Sequence, residues 1–182
     1  MPHIALPEGL PGIVGLLNYR PTTAKPLNDL AEVLPRGDNT LSRGERELIA
    51  AHVSKLNQCH FCYTSHATFA ALQVEGGWDT VDSVADDPGA APINPKLRAL
   101  LGIAGKVQQG GLSVGEADVA AARAEGATDE EIHDTVLIAA AFCMYNRYVD
   151  GLATWAPDDR EDYADAGRMI VELGYTSTTP PG

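Results

Sequence analysis

The feature that most constrains the fold of this chain is a series of helix-start signals separated by glycine-containing helix ends. A helix often begins where Ser or Thr precedes Glu by three residues, or where Pro follows an Asn cap. The chain carries four such signals: Ser42 with Glu45, Asn94 with Pro95, Ser113 with Glu116 and Thr128 with Glu131. No segment shows the alternating, β-branched pattern of a strand. We therefore predict an all-α protein of about seven helices with short connections.

Proline content divides the chain into an arm, a domain and a tail. Residues 1–40 contain six prolines, which leave room only for short helices near Gly12–Asn18 and Leu27–Leu34. We interpret this stretch as an N-terminal arm that lies across the domain or across a neighbouring subunit. Residues 41–174 form the predicted helical domain, and residues 175–182 are predicted to be a disordered tail.

Within the domain, glycines and caps predict where each helix begins and ends. One helix covers residues 42–56, and a second begins around Cys59 and ends before a Gly- and Asp-rich loop at residues 76–93. The helix from Asp129 to about Val149 is apolar on several faces, which predicts the central and most buried element. A last helix is predicted over Asp159–Leu173.

The charge and the apolar runs restrict the possible partners. The formal net charge of -12 disfavours binding to a nucleic acid or an anionic membrane, since both are negative. The most apolar run, residues 136–145, spans ten residues, about half of the ~20 that a membrane-spanning helix needs. The N-terminus lacks the pattern of a secretory signal, and three cysteines do not suit a secreted disulfide framework. We therefore expect a cytoplasmic protein with no nucleic-acid or membrane partner.

A Cys-x-x-Cys pair is the strongest chemical signal. On a helix, Cys59, Cys62 and His66 fall within about 60° of one another. The two cysteines are then separated by ~4.5 Å of helical rise, which a disulfide can bridge. Free amide groups in the first helical turn favour a thiolate. A thiolate, a second thiol and a proton-transfer group are what a two-electron peroxide reductase needs.

Two alternative roles of the thiol pair stay open at this point. The pair could be half of a zinc site completed by His52, His60 or His66, although no well-spaced fourth ligand is present. It could also be two buried structural thiols beside a core histidine. A thioredoxin fold is excluded because that fold needs a βαβ unit. We expect Cys143 to be an inert core thiol and His133 to lie on the surface.

A longer pattern around the cysteines resembles a known family. Four positions over twenty residues match it: Glu47, eleven residues, Cys59-His60-Phe61-Cys62, three residues and His66. The pattern resembles the signature of the alkylhydroperoxidase D (AhpD) family, which belongs to the carboxymuconolactone decarboxylase superfamily. The segment Asn94–Gly151 is similar to the C-terminal half of peroxidase-related members, so the resemblance covers roughly residues 27–155.

The resemblance implies a fold, an activity and a set of site residues. It implies an AhpD-like helical domain that forms a homo-oligomer (a trimer, a hexamer or a dimer) and reduces hydroperoxides through a cycle of dithiol and disulfide. It further implies that Glu47 and His66 relay protons to the thiols, with Cys62 attacking the peroxide and Cys59 resolving the product. The expected partners are a hydroperoxide and an unidentified dithiol reductant, and no metal or other cofactor is expected.

At two positions, the residues of this chain do not simply match what the family's site predicts. Helical periodicity alone places Glu47 with small residues, opposite Leu48 and Ile49, and predicts a solvated charge there. Well-known family members have a histidine immediately before the second cysteine, where this chain has Phe61. His60 stands one position earlier and is rotated by ~100° on a helix, so it does not take over that role by position alone.

Two further functions compete with the peroxidase hypothesis. One is an enzyme of the decarboxylase branch of the same superfamily, whose members generally lack the paired cysteines. The other is a non-catalytic or weakly active stress-associated oligomer that keeps the fold. The intact set of two cysteines, His66 and Glu47 favours the peroxidase.

Overall fold

The computed structural model describes residues 1–178, and all regular elements within that range are helical. The nine α-helices are α1 (Gly12–Tyr19), α2 (Pro21–Arg36), α3 (Arg43–Leu56), α4 (His60–Ala71), α5 (Trp78–Asp86), α6 (Pro95–Gln109), α7 (Glu116–Ala124), α8 (Asp129–Gly151) and α9 (Ala164–Leu173). Short 3-10 turns occupy Gly111–Ser113, Arg160–Tyr163 and Tyr175–Thr178. The all-α prediction is confirmed, and residues 1–178 contain nine α-helices where about seven were predicted. No helix of the described range combines the length and the apolar character needed to cross a bilayer.

The hydrophobic core lies between α3, α6 and α8, and α4 packs along α3. Leu48 and Ile49 of α3, Leu101 of α6 and Ile138 and Phe142 of α8 are almost completely buried. Complete burial of such a side chain contributes roughly 1.5–3 kcal/mol to folding. The packing fixes α3 and α4 side by side, so residues on their facing sides meet inside the protein.

Helix α8 is central, but one of its faces is exposed to solvent. Ile138 and Phe142 are buried, whereas Leu137 and Met144 are 39% and 43% exposed. Residues seven positions apart lie on the same face of a helix, so these two side chains form one apolar strip. The prediction of burial on several faces holds where α8 contacts α3, α6, α1, α2 and α4, and it fails for this strip.

The N-terminal arm contains more helix than we predicted from its proline content. Helix α2 runs without a break through Pro26 and Pro35, and Pro21 stands in its first turn. A proline at the first turn is favourable because its missing N–H has no partner there in any case. The interior Pro26 is tolerated because α2 packs Leu30 and Leu34 against the core. Two backbone hydrogen bonds hold the arm on its own domain: His3 N–H to Leu152 O and Gly12 N–H to Trp155 O.

The predicted loop at residues 76–93 contains a helix, so that prediction is wrong. Gly76 and Gly77 both have positive φ and turn the chain, after which α5 begins. Val81 and Val84 are buried against the main core. They are three positions apart and lie on one face of α5. Burial of that face offsets the weak helix propensity of the surrounding Asp and Gly residues.

Three of the four predicted helix caps are confirmed. The side chains of Ser42, Asn94 and Thr128 each accept a backbone N–H from the first turn of the helix that follows. The fourth prediction, at Ser113, is wrong because this residue is part of a 3-10 turn. Helix α7 begins later, and the Asp118 carboxylate accepts the Gly115 N–H at 2.9 Å.

The C-terminal end also differs from the prediction. The predicted helix over Asp159–Leu173 is divided into a 3-10 turn and α9, which begins at Ala164. Residues 175–178, predicted to be part of a disordered tail, form a 3-10 turn that contacts α2. Burial of the Tyr175 ring stabilises this turn. The rest of the predicted tail, residues 179–182, lies outside the described residues.

Candidate active site

The two cysteines lie where α3 turns into α4. Gln58 has φ +60, a left-handed conformation that lets the chain reverse direction in a short space. The Cys59 N–H donates to the Ser54 carbonyl at 3.1 Å, and Cys59 is the N-cap of α4. Cys62 is therefore the third residue of a twelve-residue helix. Both cysteines therefore lie at the N-terminal end of α4.

The two thiols differ in their surroundings. Cys59 and Cys62 are both free thiols, and a hydrogen bond between their side chains is the first reason that the pKa of Cys59 is raised. Burial is the second reason, and a hydrogen bond to Asp150 adds to it. Cys59 is completely buried, whereas Cys62 is 4% exposed and lines a cavity. The thiol of Cys62 is thus the one that a small molecule in the cavity can reach.

His66 and Glu47 form a buried pair between α4 and α3. Nδ1 of His66 lies 2.6 Å from Oε2 of Glu47, and Glu47 is only 2% exposed. The Nδ1–H group donates to the carboxylate, which leaves Nε2 as the ring nitrogen able to accept a proton. The prediction of Glu47 as a solvated charge is wrong, because the packing of α4 along α3 covers this face of α3.

Tyr175 joins this pair, and the sequence patterns did not indicate it. Its hydroxyl donates to Oε1 of Glu47 at 2.6 Å, and its ring stacks on that of His66 with centroids 6.0 Å apart. One signal was present in the sequence. Gly174 follows the last residue of α9, and a hydrophobic residue directly after such a glycine often packs back on the helix end.

The cavity beside Cys62 and His66 is small and has mainly apolar walls. It measures about 50 Å³, which is room for a few water-sized molecules. Its walls come from α1, α2, α4, α8 and the C-terminal turn: Ile13, Leu27, Asn28, Ala31, Phe61, Cys62, His66, Phe142, Tyr145 and Tyr175. The N-terminal arm thus contributes part of the site, although its residues carry no chemical motif.

The positions before Cys62 have structural roles. The Phe61 ring packs against Tyr163, with centroids 5.9 Å apart, and a Cβ at Gly12 would overlap it. The His60 ring lies outside the cavity and donates Nε2–H to the Pro157 carbonyl at 2.9 Å. Phe61 has no acid or base group, and His60 lines a second groove together with Cys59.

The remaining cysteine and histidines lie outside the cavity. Cys143 is buried in α8, as predicted, and accepts a weak hydrogen bond from Asn57 at 3.5 Å. The side chain of His133 is 70% exposed, also as predicted. Burial lowers the pKa of His52, which lines a different groove. Among residues 1–178, no group of three or more His, Cys, Asp or Glu side chains is arranged to hold a metal ion.

A buried amide network supports the turn that carries Cys59. Asn146 of α8 is almost fully buried. It accepts from Asn57 Nδ2 at 2.7 Å and donates to Ser54 Oγ at 3.0 Å. Since the Ser54 carbonyl also accepts the Cys59 N–H, Asn146 connects α8 to the start of α4.

Asn146→Ala is expected to destabilise the protein by about 2–4 kcal/mol, because the buried Ser54 hydroxyl and the half-buried Asn57 amide each lose a partner. The matched control is Asn94→Ala, which removes an exposed helix cap and should cost about 1 kcal/mol. The free energies of unfolding can be compared in urea. Equal losses in the two variants would contradict a structural role for the network.

Comparison with known proteins agrees with the all-helical, AhpD-like fold. Residues 21–86 match the family model described as the Carboxymuconolactone decarboxylase family. No functionally curated protein matches the chain significantly. One similar solved structure is the alkylhydroperoxidase AhpD core of an uncharacterized peroxidase-related protein from Ralstonia eutropha JMP134. It is 31% identical, with a TM-score of 0.76, and the match covers 87% of this chain and 81% of that chain.

A second solved structure supports the fold alone, because its sequence identity is low. It is an uncharacterized peroxidase-related protein from Silicibacter sp. TM1040, 22% identical with a TM-score of 0.78. The match covers 90% of this chain and 94% of that chain.

Proposed function

This chain belongs to the AhpD-like part of the carboxymuconolactone decarboxylase superfamily, and we propose that it is a thiol peroxidase. It reduces hydroperoxides through a dithiol and disulfide cycle of Cys59 and Cys62. One observation carries this proposal. A reachable thiol, a second thiol in contact with it and a buried Glu–His pair meet along the first two turns of α4.

The proposed cycle has three steps, and atoms and electrons balance over them. The Cys62 thiolate attacks the outer oxygen of ROOH, the O–O bond breaks, and ROH leaves after taking up a proton. Cys62 is now a sulfenic acid, and the Cys59 sulfur displaces its hydroxyl group, which leaves as water while the S–S bond forms. An external dithiol then reduces this disulfide by exchange and becomes a disulfide itself. The two electrons that reduce the peroxide thus come from the external dithiol.

Access and protonation support Cys62 as the attacking sulfur. Cys62 borders the cavity together with His66, whereas Cys59 is completely buried. The raised pKa of Cys59 keeps it in the thiol form until Cys62 has reacted. The thiol of Cys59 is then in contact with the sulfenic acid and can resolve it.

The Glu47–His66 pair serves as the base in this cycle. Nε2 of His66 takes the proton from the attacking thiol, and the Glu47 carboxylate stabilises the charged ring. The same proton can then be given to the departing alkoxide. Burial of both side chains keeps this exchange away from bulk water.

Oxidation by one equivalent of hydroperoxide is expected to remove two thiols per chain, because the cycle joins Cys59 to Cys62. Cys143 should stay free, since it lies in the main core away from the cavity. Thiol counting and peptide mapping of the oxidised protein measure both results. The function would have to be abandoned if peroxide removed no thiols, and the pairing if the disulfide contained Cys143.

The assembly into an oligomer stays a prediction. The apolar strip of Leu137 and Met144 on α8 is a surface that contact between subunits could cover. A trimer, a hexamer and a dimer are all compatible with it.

A further inference from the structure

The C-terminal segment is attached to α2 by a specific set of polar contacts. The Tyr175 N–H donates to Oε2 of Glu32 at 2.7 Å, and Oε1 of Glu32 accepts from Nε of Arg36 at 2.9 Å. Arg36 also donates to the Ile170 and Val171 carbonyls at the end of α9, at 3.0 Å each. One ion pair on α2 therefore holds both the end of α9 and the turn that follows.

The path of the segment requires a glycine before the tyrosine. Gly174 has φ +86, a conformation that side chains disfavour. A Cβ at this position would overlap the Glu32 carboxylate. The close approach of the chain to Glu32 directs the next residue, Tyr175, into the protein.

The Tyr175 hydroxyl completes the hydrogen bonding of the Glu47 carboxylate. Oε2 of Glu47 bonds to His66 at 2.6 Å, and Oε1 accepts the Tyr175 hydroxyl at 2.6 Å. Burial and the nearby Glu47 charge raise the pKa of Tyr175 well above 10. The phenol therefore keeps its proton across the neutral pH range and acts as a hydrogen-bond donor to the carboxylate.

We propose that Tyr175 is a positioning residue of the proton relay, through which the C-terminal segment sets the pH range of the reaction. The hydroxyl stabilises the ionised form of Glu47 and keeps Oε2 directed at His66. The Glu47–His66 pair then stays free to accept the thiol proton at a lower pH than it could without the phenol. This inference rests on the proposed peroxidase function.

Other charged and titratable groups also face the pair, and a substitution at position 175 leaves them in place. Glu32 and Arg36 of α2 act on Tyr175, and the charge of Glu47 acts on Arg46 of α3. Cys62 of α4 and Tyr145 of α8 line the cavity beside His66. Among these, Tyr145 offers a matched control. Its hydroxyl lies at the same cavity but donates to the Leu27 carbonyl at 2.8 Å, outside the relay.

Tyr175→Phe is the central experiment, and the rate of peroxide-driven disulfide formation is measured from pH 5 to pH 10. A hydrogen bond donated to a carboxylate favours its charged form, so its loss makes the pair take up a proton more readily. The acid limb of the profile should move up by about one pH unit, which is a roughly tenfold loss on that limb. The alkaline plateau should change by less than about twofold, since the base is not needed there.

Two further variants test in which direction the hydrogen bond of the phenol shifts the acid limb. Because Tyr145 lines the cavity but does not contact Glu47, any change of rate in Tyr145→Phe should be the same at every pH, and the acid limb should keep its native position. Incorporation of 3-fluorotyrosine at position 175 makes the phenol a stronger donor and should move the limb down. This second variant also keeps the ring and the hydroxyl, so it tests the proposal even if Tyr175→Phe fails to fold.

A readout without peroxide separates this proposal from the function on which it rests. The protonation of the His66 ring can be followed by NMR titration in the native protein and in Tyr175→Phe, and its midpoint should also rise by about one unit. An unshifted titration, or an equal loss of rate at every pH, would overturn the role of Tyr175. A native protein that oxidises no thiols would overturn the peroxidase function, while the NMR comparison still decides the role of Tyr175.

Discussion

Replacement of Cys62 by serine is expected to reduce peroxide consumption to the uncatalysed background. A serine hydroxyl at neutral pH is a much weaker nucleophile than a thiolate, and no other reachable thiol lines the cavity in the described part of the chain. We expect a loss of at least about 1,000-fold, because removal of a catalytic nucleophile leaves only binding contributions. Peroxide loss measured with a dithiol reductant such as dithiothreitol reports the effect.

The other two cysteines provide the controls for this experiment. Cys59→Ser should still react once with peroxide and accumulate a sulfenic acid that a selective probe can trap. Cys143→Ser should keep the native rate, because that thiol lies in the main core. A sulfenic acid found in Cys62→Ser but absent from Cys59→Ser would reverse the roles of the two sulfurs.

Glu47→Gln and His66→Ala are each expected to slow peroxide-driven disulfide formation by about 10- to 100-fold near neutral pH, the usual contribution of a general base. An unperturbed thiol titrates near pH 8.5, so only a small fraction is ionised at pH 7 without help. As the pH rises past about 8.5, the thiolate forms without a base. The defect of both variants should then shrink, which stopped-flow measurement across pH can follow.

Coupling between the two residues gives a stricter test. The double variant should be little slower than either single one, since groups that act as one unit are not additive. His133→Ala is the matched control, because its side chain is exposed and lies outside the cavity. A Glu47→Gln protein with the native rate across neutral pH would show that the carboxylate has no part in proton transfer.

Short-range signals were sufficient for most helix boundaries. Ser42, Asn94 and Thr128 cap helices as predicted, because a cap depends on residues three positions apart. The same reasoning failed for α2 and α5. Pro26 and the Gly- and Asp-rich stretch both disfavour a helix locally, and burial against α3 and its neighbours overrides that preference.

For the candidate site, too, local spacing predicted some residues, whereas others were brought together only by tertiary packing. Cys59, Cys62 and His66 lie within eight residues, so helical spacing alone predicts that they share a face of α4. Glu47 lies 19 residues from His66 and on another helix, and only the resemblance to the family indicated their contact. Tyr175 is 128 residues from Glu47, and neither spacing nor resemblance connected the two.

The sequence by itself therefore determined the all-helical class and the thiol pair with its histidine, since both follow from interactions within a few turns of one helix. Tertiary structure alone decided that Glu47 is buried and that Tyr175 donates to its second oxygen. The physical reason is that a carboxylate on a surface needs only water, whereas one buried between α3 and α4 must find hydrogen-bond donors there. Here those donors come from α4 and from the C-terminal turn, which meet only after the helices have packed.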